Sequence, residues 1–351
     1  GEEGTYYVWS YQEVKSVIPE ANRNLFCKYY DITEQGNWEG KNIPNRLMFP
    51  DEASPEIEQQ LHQAKSQLLD HRNNRPKPGW DDKTLVDWNG LAISMLCNAG
   101  FALSQPDWIN QAGKAFAAVK QNLWKSGTLH HAWRKGKTTN IATADDYANL
   151  IKAAISLYEA TTLKHYLDDA CTLVELVDKH HWNTKSGGYF FASSKAKNLL
   201  VRTCHAHDEA TPNANGTMLS NLAKLYHLTG HTRYDQKAAA LLKAFSSSAA
   251  NSPMAYTGLL TGYMDISEHL QVVLILPDEN TKVQPLIEQL RSCRFPITIL
   301  TVYGQADVPA HHPAHGKKVL KNNPTVYVCK GQVCSEPITN LSGIDKVVSS
   351  F

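Results

Sequence analysis

Three pairs of helical segments recur along the middle of this 351-residue chain, and the repeat limits the possible fold more than any other feature. Apolar residues recur every three or four positions in each segment, which predicts amphipathic helices. The first helix of each pair is more apolar than the second. This asymmetry predicts inner helices surrounded by outer helices, as in an α/α toroid, with a straight solenoid as the alternative. The first segments read "LAISMLCNAG", "LIKAAISLYEATT" and "MLSNLAKLYHLTG".

The links between pairs are long and rich in Gly, Asn and Thr, whereas the turns within pairs are short. Trp124 and Trp182 lie 58 residues apart. Each is followed by a polar turn with glycine and then by an extended aromatic stretch. The opening "EEGTYYVWS" matches that aromatic stretch, although no outer helix precedes it. We therefore expect the toroid to be incomplete at the N-terminus, with residues missing upstream.

The pattern changes after residue 268, where short β-rich runs surround one helical segment. The runs are "HLQVVLILP", "FPITILTVY" and "NPTVYVCKG". We predict a partial all-α toroid over residues 1–268 and a small C-terminal α/β appendage over residues 269–351. No Gly-rich phosphate loop accompanies the appendage, which argues against a dinucleotide-binding domain. For Cys329 and Cys334, a disulfide or two inert thiols is favoured over a redox site, which usually has a C-x-x-C spacing.

Composition and charge exclude several classes of partner. The formal net charge of +1 argues against nucleic acid or an anionic membrane as the main partner. No apolar run reaches the roughly 18 to 20 residues needed to span a bilayer. No signal peptide is visible, and the seven scattered cysteines are typical of a reducing compartment. We therefore expect a cytoplasmic protein without a nucleic-acid or membrane partner.

Acidic and amide residues stand at the predicted start of each inner helix. Asp82, Asp146 and Asn215 hold equivalent places in the repeat. Such residues are preferred at helix N-termini, so capping accounts for any one of them alone. If the inner helices run parallel, however, all three starts lie at one end of the ring, where the long loops also lie. A site built on a rigid scaffold is expected there.

The side chains predicted at this end suit a sugar or polyol. Acids and amides bind hydroxyl groups, while flat aromatic rings cover the apolar face of a sugar. Two carboxyl groups in different environments could perform glycoside chemistry. We expect Asp81 or Asp82, together with Asp146, to face a pocket floored by Trp88 and Tyr147, with Glu39 nearby. The catalytic candidates are Asp81, Asp82, Asp146 and Glu39; the ligand-binding candidates are Lys83, Trp88, Asn89, Asn42, Tyr147, Tyr189, Phe190, Asp208, Asn215 and His207.

The segment "CHAHDE" offers possible metal ligands from Cys204 to Glu209. No second ligand cluster with a recognisable spacing accompanies it, so a solvated loop is the favoured interpretation. A general acid or base role for His205 or His207 is the alternative. We accordingly expect neither a metal nor a cofactor.

Several motifs in this order resemble the YyaL-type (spermatogenesis-associated, thioredoxin-domain-containing) protein family. They are "EEGTYYVWS", "GNWEGKN", "DDKTLVDWNGL", "DDYANLI", "GGYFF", "ATPNANG" and "VYVCKGQVCSEPIT". The resemblance covers nearly the whole chain. It implies a six-hairpin glycosidase-like α/α toroid, and it implies that an N-terminal thioredoxin-like domain and the first toroid helices are absent from this chain.

Three functions follow as hypotheses, of which the third is a pure assembly scaffold. The first is a glycoside hydrolase or sugar epimerase that binds a sugar in the mouth of the toroid. The second is a non-catalytic toroid that binds a ligand or partner and accompanies a thioredoxin-like domain in redox or protein quality control. An incomplete ring should leave apolar helix flanks exposed, so a dimer or a missing N-terminal domain is expected to complete it.

Overall fold

A computed structural model describes residues 4–197, 199–267, 269–291, 297–304, 307–331, 333–340 and 344–351. The chain divides into two compact units, residues 1–82 and residues 83–351. None of the described helices is both long enough and apolar enough to cross a membrane. The α-helices are α1 Tyr11–Val17, α2 Glu20–Tyr29, α3 Pro55–Asn73, α4 Val86–Ala102, α5 Pro106–Leu123, α6 Ala144–Thr161, α7 Lys164–His181, α8 Ala214–Thr229, α9 Thr232–Asn251, α10 Thr257–Ser267, α11 Gln284–Arg291 and α12 Ile344–Ser349.

Two small sheets accompany the helices of the second unit. In the first, β3 pairs antiparallel with β1, β2 and β4 in the loops beside α4 and α6. In the second, β5 lies between a parallel β6 and an antiparallel β7, which also pairs with β8. The strands are β1 Thr84–Leu85, β2 Trp124–Lys125, β3 Thr128–Arg134, β4 Lys137–Ile141, β5 Leu270–Leu276, β6 Ile297–Tyr303, β7 Thr325–Lys330 and β8 Val333–Cys334.

The first unit packs α1, α2 and α3 around a small apolar core that includes Trp9 and Phe26. The Arg75 guanidinium lies 4.1 Å from the centre of the Trp9 ring. It also donates hydrogen bonds to the carbonyl oxygens of Tyr6 and Val8, and it pairs with Glu13 at 3.0 Å. Arg75 therefore ties the turn before α1 to the segment that follows α3.

The second unit confirms the predicted helix pairs, which are α4 with α5, α6 with α7 and α8 with α9. Fifteen of the 18 residues of α6 are buried but only five of the 18 in α7, so the first helix of the pair is the inner one. The inner helices α4, α6, α8 and α10 pack side by side in this order. The all-α toroid-like architecture and the placement of strands in loops and after residue 268 are confirmed.

The second sheet shares a core with the inner helices. Val273 and Ile275 of β5 belong to the same apolar cluster as the buried faces of α6 and α8. The Tyr158 hydroxyl of α6 contacts the backbone of Thr301 in β6, and Thr162 contacts the Tyr303 hydroxyl at 2.7 Å. The division at residue 268 remains a prediction.

The start of α4 differs from the prediction for Asp82. Thr84 and Leu85 form β1, which pairs with Trp133 and Ala132 of β3. This pairing holds the backbone extended as far as Leu85, the N-cap residue, and the helix begins only at Val86. The prediction that Asp82 begins the first inner helix is therefore wrong, and Asp87 is the acidic residue in its first turn.

Gly90 allows α4 and α6 to pack closely. A Cβ atom added at Gly90 would lie only 2.6 Å from the backbone carbonyl carbon of Asn149. Because that neighbour is backbone, we expect Gly90→Ala to lower the free energy of unfolding by about 1–3 kcal/mol. Urea denaturation of the variant measures the change.

Gly113→Ala is the matched control, since Gly113 also lies inside a helix, α5. Its added Cβ would meet only the Tyr166 hydroxyl, at 3.1 Å. Alanine is favoured over glycine in helices by roughly 0.5–1 kcal/mol, so this variant should keep or gain stability. Equal losses in both variants would show that close packing at Gly90 does not matter.

Candidate functional site

Carboxylates link the N-termini of neighbouring inner helices in the second unit. Asp146 of α6 accepts a hydrogen bond from the backbone N–H of Asp87 in α4 at 3.1 Å. Asp145 accepts one from the first residue of α8 at 2.9 Å. Asp208 accepts one near the start of α10 at 2.7 Å. The inner helices therefore begin at one end of the second unit, which confirms the prediction for Asp146 and Asn215.

Asp146 is completely buried, and local sequence explains its position. Thr143 is the N-cap of α6, and Asp146 completes a capping box with it. Asp146 Oδ2 accepts hydrogen bonds from the Thr143 N–H at 2.7 Å and from the Thr143 hydroxyl at 2.9 Å. His131 Nδ1 of β3 lies 2.9 Å from the same oxygen. Both carboxylate oxygens are thus occupied by protein groups, which suits a positioning role.

Asp87, His131 and Asp146 form a cluster whose ligand-type atoms all lie within 4.8 Å of one another. The hydrogen bond to Asp146 raises the pKa of His131, with further help from the charges of Asp146 and Asp87. Burial, followed by the charge of Asp146, raises the pKa of Asp87. Carboxylate and imidazole are metal ligands as well as proton carriers, so this cluster can move a proton or hold a divalent cation.

Asp145 lines a pocket of about 230 Å³ in the second unit. The pocket lies beneath the long loop that joins α7 to α8. Burial raises the pKa of Asp145 to about 6, and the negative charges of Asp146, Asp87 and Glu209 contribute to this increase. The hydrogen bond from α8 opposes it. The pocket is lined by Asp145, Phe191, Thr203, His205, His207, Glu209, Thr211, Pro212 and Asn213.

His205, His207 and Glu209 also line this pocket. The rings of His205 and His207 have centres 4.3 Å apart. His207 Nε2 lies 3.5 Å from a Glu209 carboxylate oxygen, and Asn213 Nδ2 lies 3.3 Å from His205 Nδ1. Burial, and then the neighbouring His207, lowers the pKa of His205. The pocket thus combines a carboxyl group that titrates near neutrality with several hydrogen-bonding groups.

The sequence pattern of glycosyl hydrolase family 76 matches residues 22–261, more than half of the chain. The chain belongs to glycosyl hydrolase family 76. Spermatogenesis-associated protein 20 of Homo sapiens is 27% identical over 392 residues, covering 99% of this chain and 49% of that protein. An uncharacterized protein of Caenorhabditis elegans is 24% identical, covering 99% of this chain and 52% of that protein. The chain therefore spans about half the length of these relatives, and the resemblance inferred from the motifs is confirmed.

A family 76 α-mannanase from Bacteroides thetaiotaomicron is a distant structural neighbour. It matches with a TM-score of 0.45 and 14% sequence identity. The match covers 67% of this chain and 68% of the mannanase chain.

The predicted aromatic and amide residues of this family 76 chain hold the scaffold together. Tyr147 is 3% exposed, and burial raises its pKa to about 12. Tyr189 is fully buried, and its hydroxyl donates a hydrogen bond to the Asp178 carboxylate at 2.9 Å. Asn215 is 2% exposed and bonds the backbone of Tyr189 and His205. The expectation that Tyr147 floors the pocket is therefore wrong, because its ring is enclosed by the core.

Other predicted residues lie near the helix starts without lining the pocket. Trp88 is 62% exposed on α4, while the Asn89 amide donates to the Leu85 carbonyl at 2.7 Å. The guanidinium carbon of Arg202 lies over the Phe190 ring, 4.3 Å from the ring centre. Lys83 lies just before β1, and its charge acts on His131. Asp208 links α8 to α10, and of the predicted ligand-binding residues only His207 lines the pocket.

Four predicted residues belong to the first unit. Glu39 lies in a tight turn in the left-handed conformation, with φ of 46°. Asn42 is 1% exposed, and its amide bonds the backbone of Trp9 and Thr33, which gives it a structural role. Asp81 and Asp82 lie in an irregular segment after α3. Catalytic roles for Glu39, Asp81 and Asp82 remain predictions.

Sequence reasoning did not single out Asp87, His131 or Phe191, nor Asp145, the first aspartate of the "DDYANLI" motif. Asp87 stands in the same motif as Asp81 and Asp82 but was overlooked because those two form a pair. Phe191 follows Phe190 in "GGYFF" and is the aromatic residue that lines the pocket. The consecutive Asp145 and Asp146 were the signal available in sequence, since neighbouring helix residues face different directions.

Proposed function

We propose that the second unit is a carbohydrate-active domain that binds one sugar ring in the pocket beside Asp145 and hydrolyses its glycosidic bond. Membership of family 76 supports the reaction class. The observation that carries the proposal is the difference between Asp145 and Asp146. Asp145 lines a pocket, and its carboxyl group has a pKa of about 6. Asp146 is completely buried, and both of its carboxylate oxygens accept hydrogen bonds. Two carboxyl groups in contrasting environments are typical of acid–base catalysis.

Asp145 is the proposed general acid. With its pKa at about 6, a useful fraction of the group is protonated near neutral pH, and the group still ionises readily. It donates its proton to the glycosidic oxygen as the bond to the anomeric carbon breaks. Glu209, which also lines the pocket, is the proposed base; it takes a proton from the water whose oxygen forms the new bond to the anomeric carbon. Hydrolysis thus adds a hydrogen to the leaving oxygen and a hydroxyl group to the anomeric carbon.

The size and lining of the pocket favour a single sugar ring. Its volume of about 230 Å³ is below the roughly 300–1,000 Å³ typical of sites for drug-sized ligands. The Phe191 side chain is 44% exposed and offers an apolar surface for the sugar face. His205, His207 and Asn213 offer partners for hydroxyl groups.

A sugar panel tests this proposal by thermal shift and by measurement of released reducing sugar. A sugar that binds the folded protein raises its melting temperature. We expect Phe191→Ala to weaken binding of the best sugar roughly 2- to 10-fold, because a stacking surface is lost. Tyr263→Ala is the matched control, since Tyr263 is 48% exposed on α10 and does not line the pocket.

Three outcomes decide between the hypotheses. Weaker binding in the Phe191 variant alone, with turnover of the bound sugar, supports the proposed hydrolase. Binding without turnover of any glycoside would favour the non-catalytic ligand-binding toroid. Equal effects of the two substitutions would place the sugar outside this pocket and contradict the proposal.

A further inference from the structure

A histidine-rich loop after β6 packs against the end of α8, opposite to the helix starts. The sequence "HHPAHG" contains His311, His312 and His315. Gly230 ends α8 in the left-handed conformation, with φ of 71°. A Cβ atom at Gly230 would overlap the carbonyl oxygen of His311. The loop thus contacts the turn between α8 and α9, and this turn also contains His231.

His231 and His311 bring two imidazole rings together across this contact. The ring centres lie 4.5 Å apart, and the ring planes differ by 31°. Both residues are exposed. Within the described part of the chain, neither ring makes a hydrogen bond, so their nitrogen atoms are available to a ligand. Two imidazoles that converge from separate segments are a common element of transition-metal sites.

The neighbouring groups leave this pair accessible. His312 Nδ1 accepts a hydrogen bond from the Ala314 N–H at 3.2 Å, so that nitrogen is occupied. The nearby cations bind other partners. Arg233 pairs with Glu175 at 3.2 Å, and Lys317 donates to the Pro313 carbonyl at 2.9 Å. Imidazole nitrogens without a carboxylate favour zinc or copper over calcium or magnesium.

We propose that His231 and His311 bind a divalent transition metal such as Zn²⁺, with water completing the coordination. Zinc binds imidazole nitrogen at about 2.0–2.1 Å, so the two nitrogens must approach to roughly 3–3.5 Å. The ring centres lie 4.5 Å apart, so metal binding requires each ring to rotate until one of its nitrogens faces the ion. The metal would fasten the loop that follows β6 to the α8–α9 turn. This site is independent of the sugar pocket.

Isothermal titration with Zn²⁺ tests the proposal on the whole chain. We expect one binding event in the wild type, weakened at least 10-fold in His231→Ala and in His311→Ala. His62→Ala is the matched control, because His62 is exposed on α3 and should leave the affinity unchanged. Zn²⁺ should also raise the melting temperature of the wild type and the control, but not of the two variants, whereas Mg²⁺ should raise none.

The cluster of Asp87, His131 and Asp146 is the other place where zinc could bind. Wild-type affinity in the His231→Ala/His311→Ala double variant, with loss in His131→Asn, would assign the ion to that cluster and overturn the proposal. Failure of the wild type to bind Zn²⁺ would overturn it as well.

Discussion

Replacing Asp145 with asparagine is expected to lower sugar turnover by about 100- to 10,000-fold, the range that one general acid contributes. Asparagine keeps the shape of the side chain and an oxygen that can accept the hydrogen bond from the first residue of α8. It cannot supply a proton to a leaving group. The loss should therefore be one of chemistry, with the fold preserved.

The same substitution should stabilise the protein above about pH 6. The carboxyl group of Asp145 has a pKa near 3.8 when exposed and about 6 in the folded chain. Between these values the folded protein holds a proton that the unfolded chain has released, so stability falls as the pH rises. The asparagine side chain does not ionise, so the variant does not lose this stability as the pH rises. The gain at neutral pH should be on the order of 1–3 kcal/mol, since one pKa unit corresponds to about 1.4 kcal/mol.

Urea denaturation at pH 4 and pH 7.5 measures this effect beside the turnover assay. Asp168→Asn is the matched control, because Asp168 pairs with Lys164 on the exposed face of α7. Loss of such a surface pair changes stability by at most about 0.5 kcal/mol. If Asp145→Asn keeps full turnover, the general-acid role is refuted. If the variant is less stable than the wild type at pH 7.5, then burial of the ionised Asp145 carboxyl group does not lower the stability of the fold, and the prediction is refuted.

Replacing Asp146 with alanine should have the opposite effect and lower the free energy of unfolding by about 2–4 kcal/mol. Loss of an N-cap interaction costs about 1 kcal/mol. The backbone N–H groups of Thr143 and Asp87 would also lose their acceptor at a site that is completely buried. An unsatisfied buried group costs about 1–3 kcal/mol. His131 would in addition lose the partner that raises its pKa.

Denaturation of Asp146→Ala and Asp146→Asn at pH 5.5 and pH 8 checks this prediction. Asparagine keeps one acceptor oxygen, so it should lose less stability than alanine. His131 has a raised pKa in the folded chain. Its contribution is therefore fully present below the unfolded pKa of about 6.5 and is lost as the pH rises through the folded pKa. A stable Asp146→Ala protein would show that the capping box and its links are dispensable.

The helix pairs could be predicted from sequence because their information is local. Apolar spacing, short turns and polar starts fix α4 to α9 without knowledge of distant contacts. The start of α4 could not be predicted in this way. It depends on the pairing of Leu85 with Ala132, a contact between segments far apart in sequence. This strand pairing overrides the preference of Asp82 for a helix N-terminus.

The sequence predicts a site at the end where the inner helices begin, and this location remains a prediction. Of the predicted ligand-binding residues, only His207 lines the proposed pocket. Asp145 and Asp146 differ by about 100° around the helix axis, so the rotation of α6 decides which one meets the pocket. Phe190 and Phe191 present the same difficulty in an extended segment, where neighbouring side chains point in opposite directions. Sequence spacing gives the two alternatives in each case, and only tertiary packing selects between them.

The carboxylates at the helix starts also affect how the ring unfolds. Asp145 of α6 bonds the first N–H of α8, and Asp208 bonds the start of α10. The N-termini of α8 and α10 thus depend for part of their hydrogen bonding on a residue of α6 and on a residue of the loop before α8. In a linear repeat array, end units fray independently because only the interfaces between neighbours couple them. Shared caps increase that coupling, so the detachment of one pair exposes uncapped backbone in the next. We therefore expect the inner helices to melt cooperatively, with few partly open states exposed to proteases.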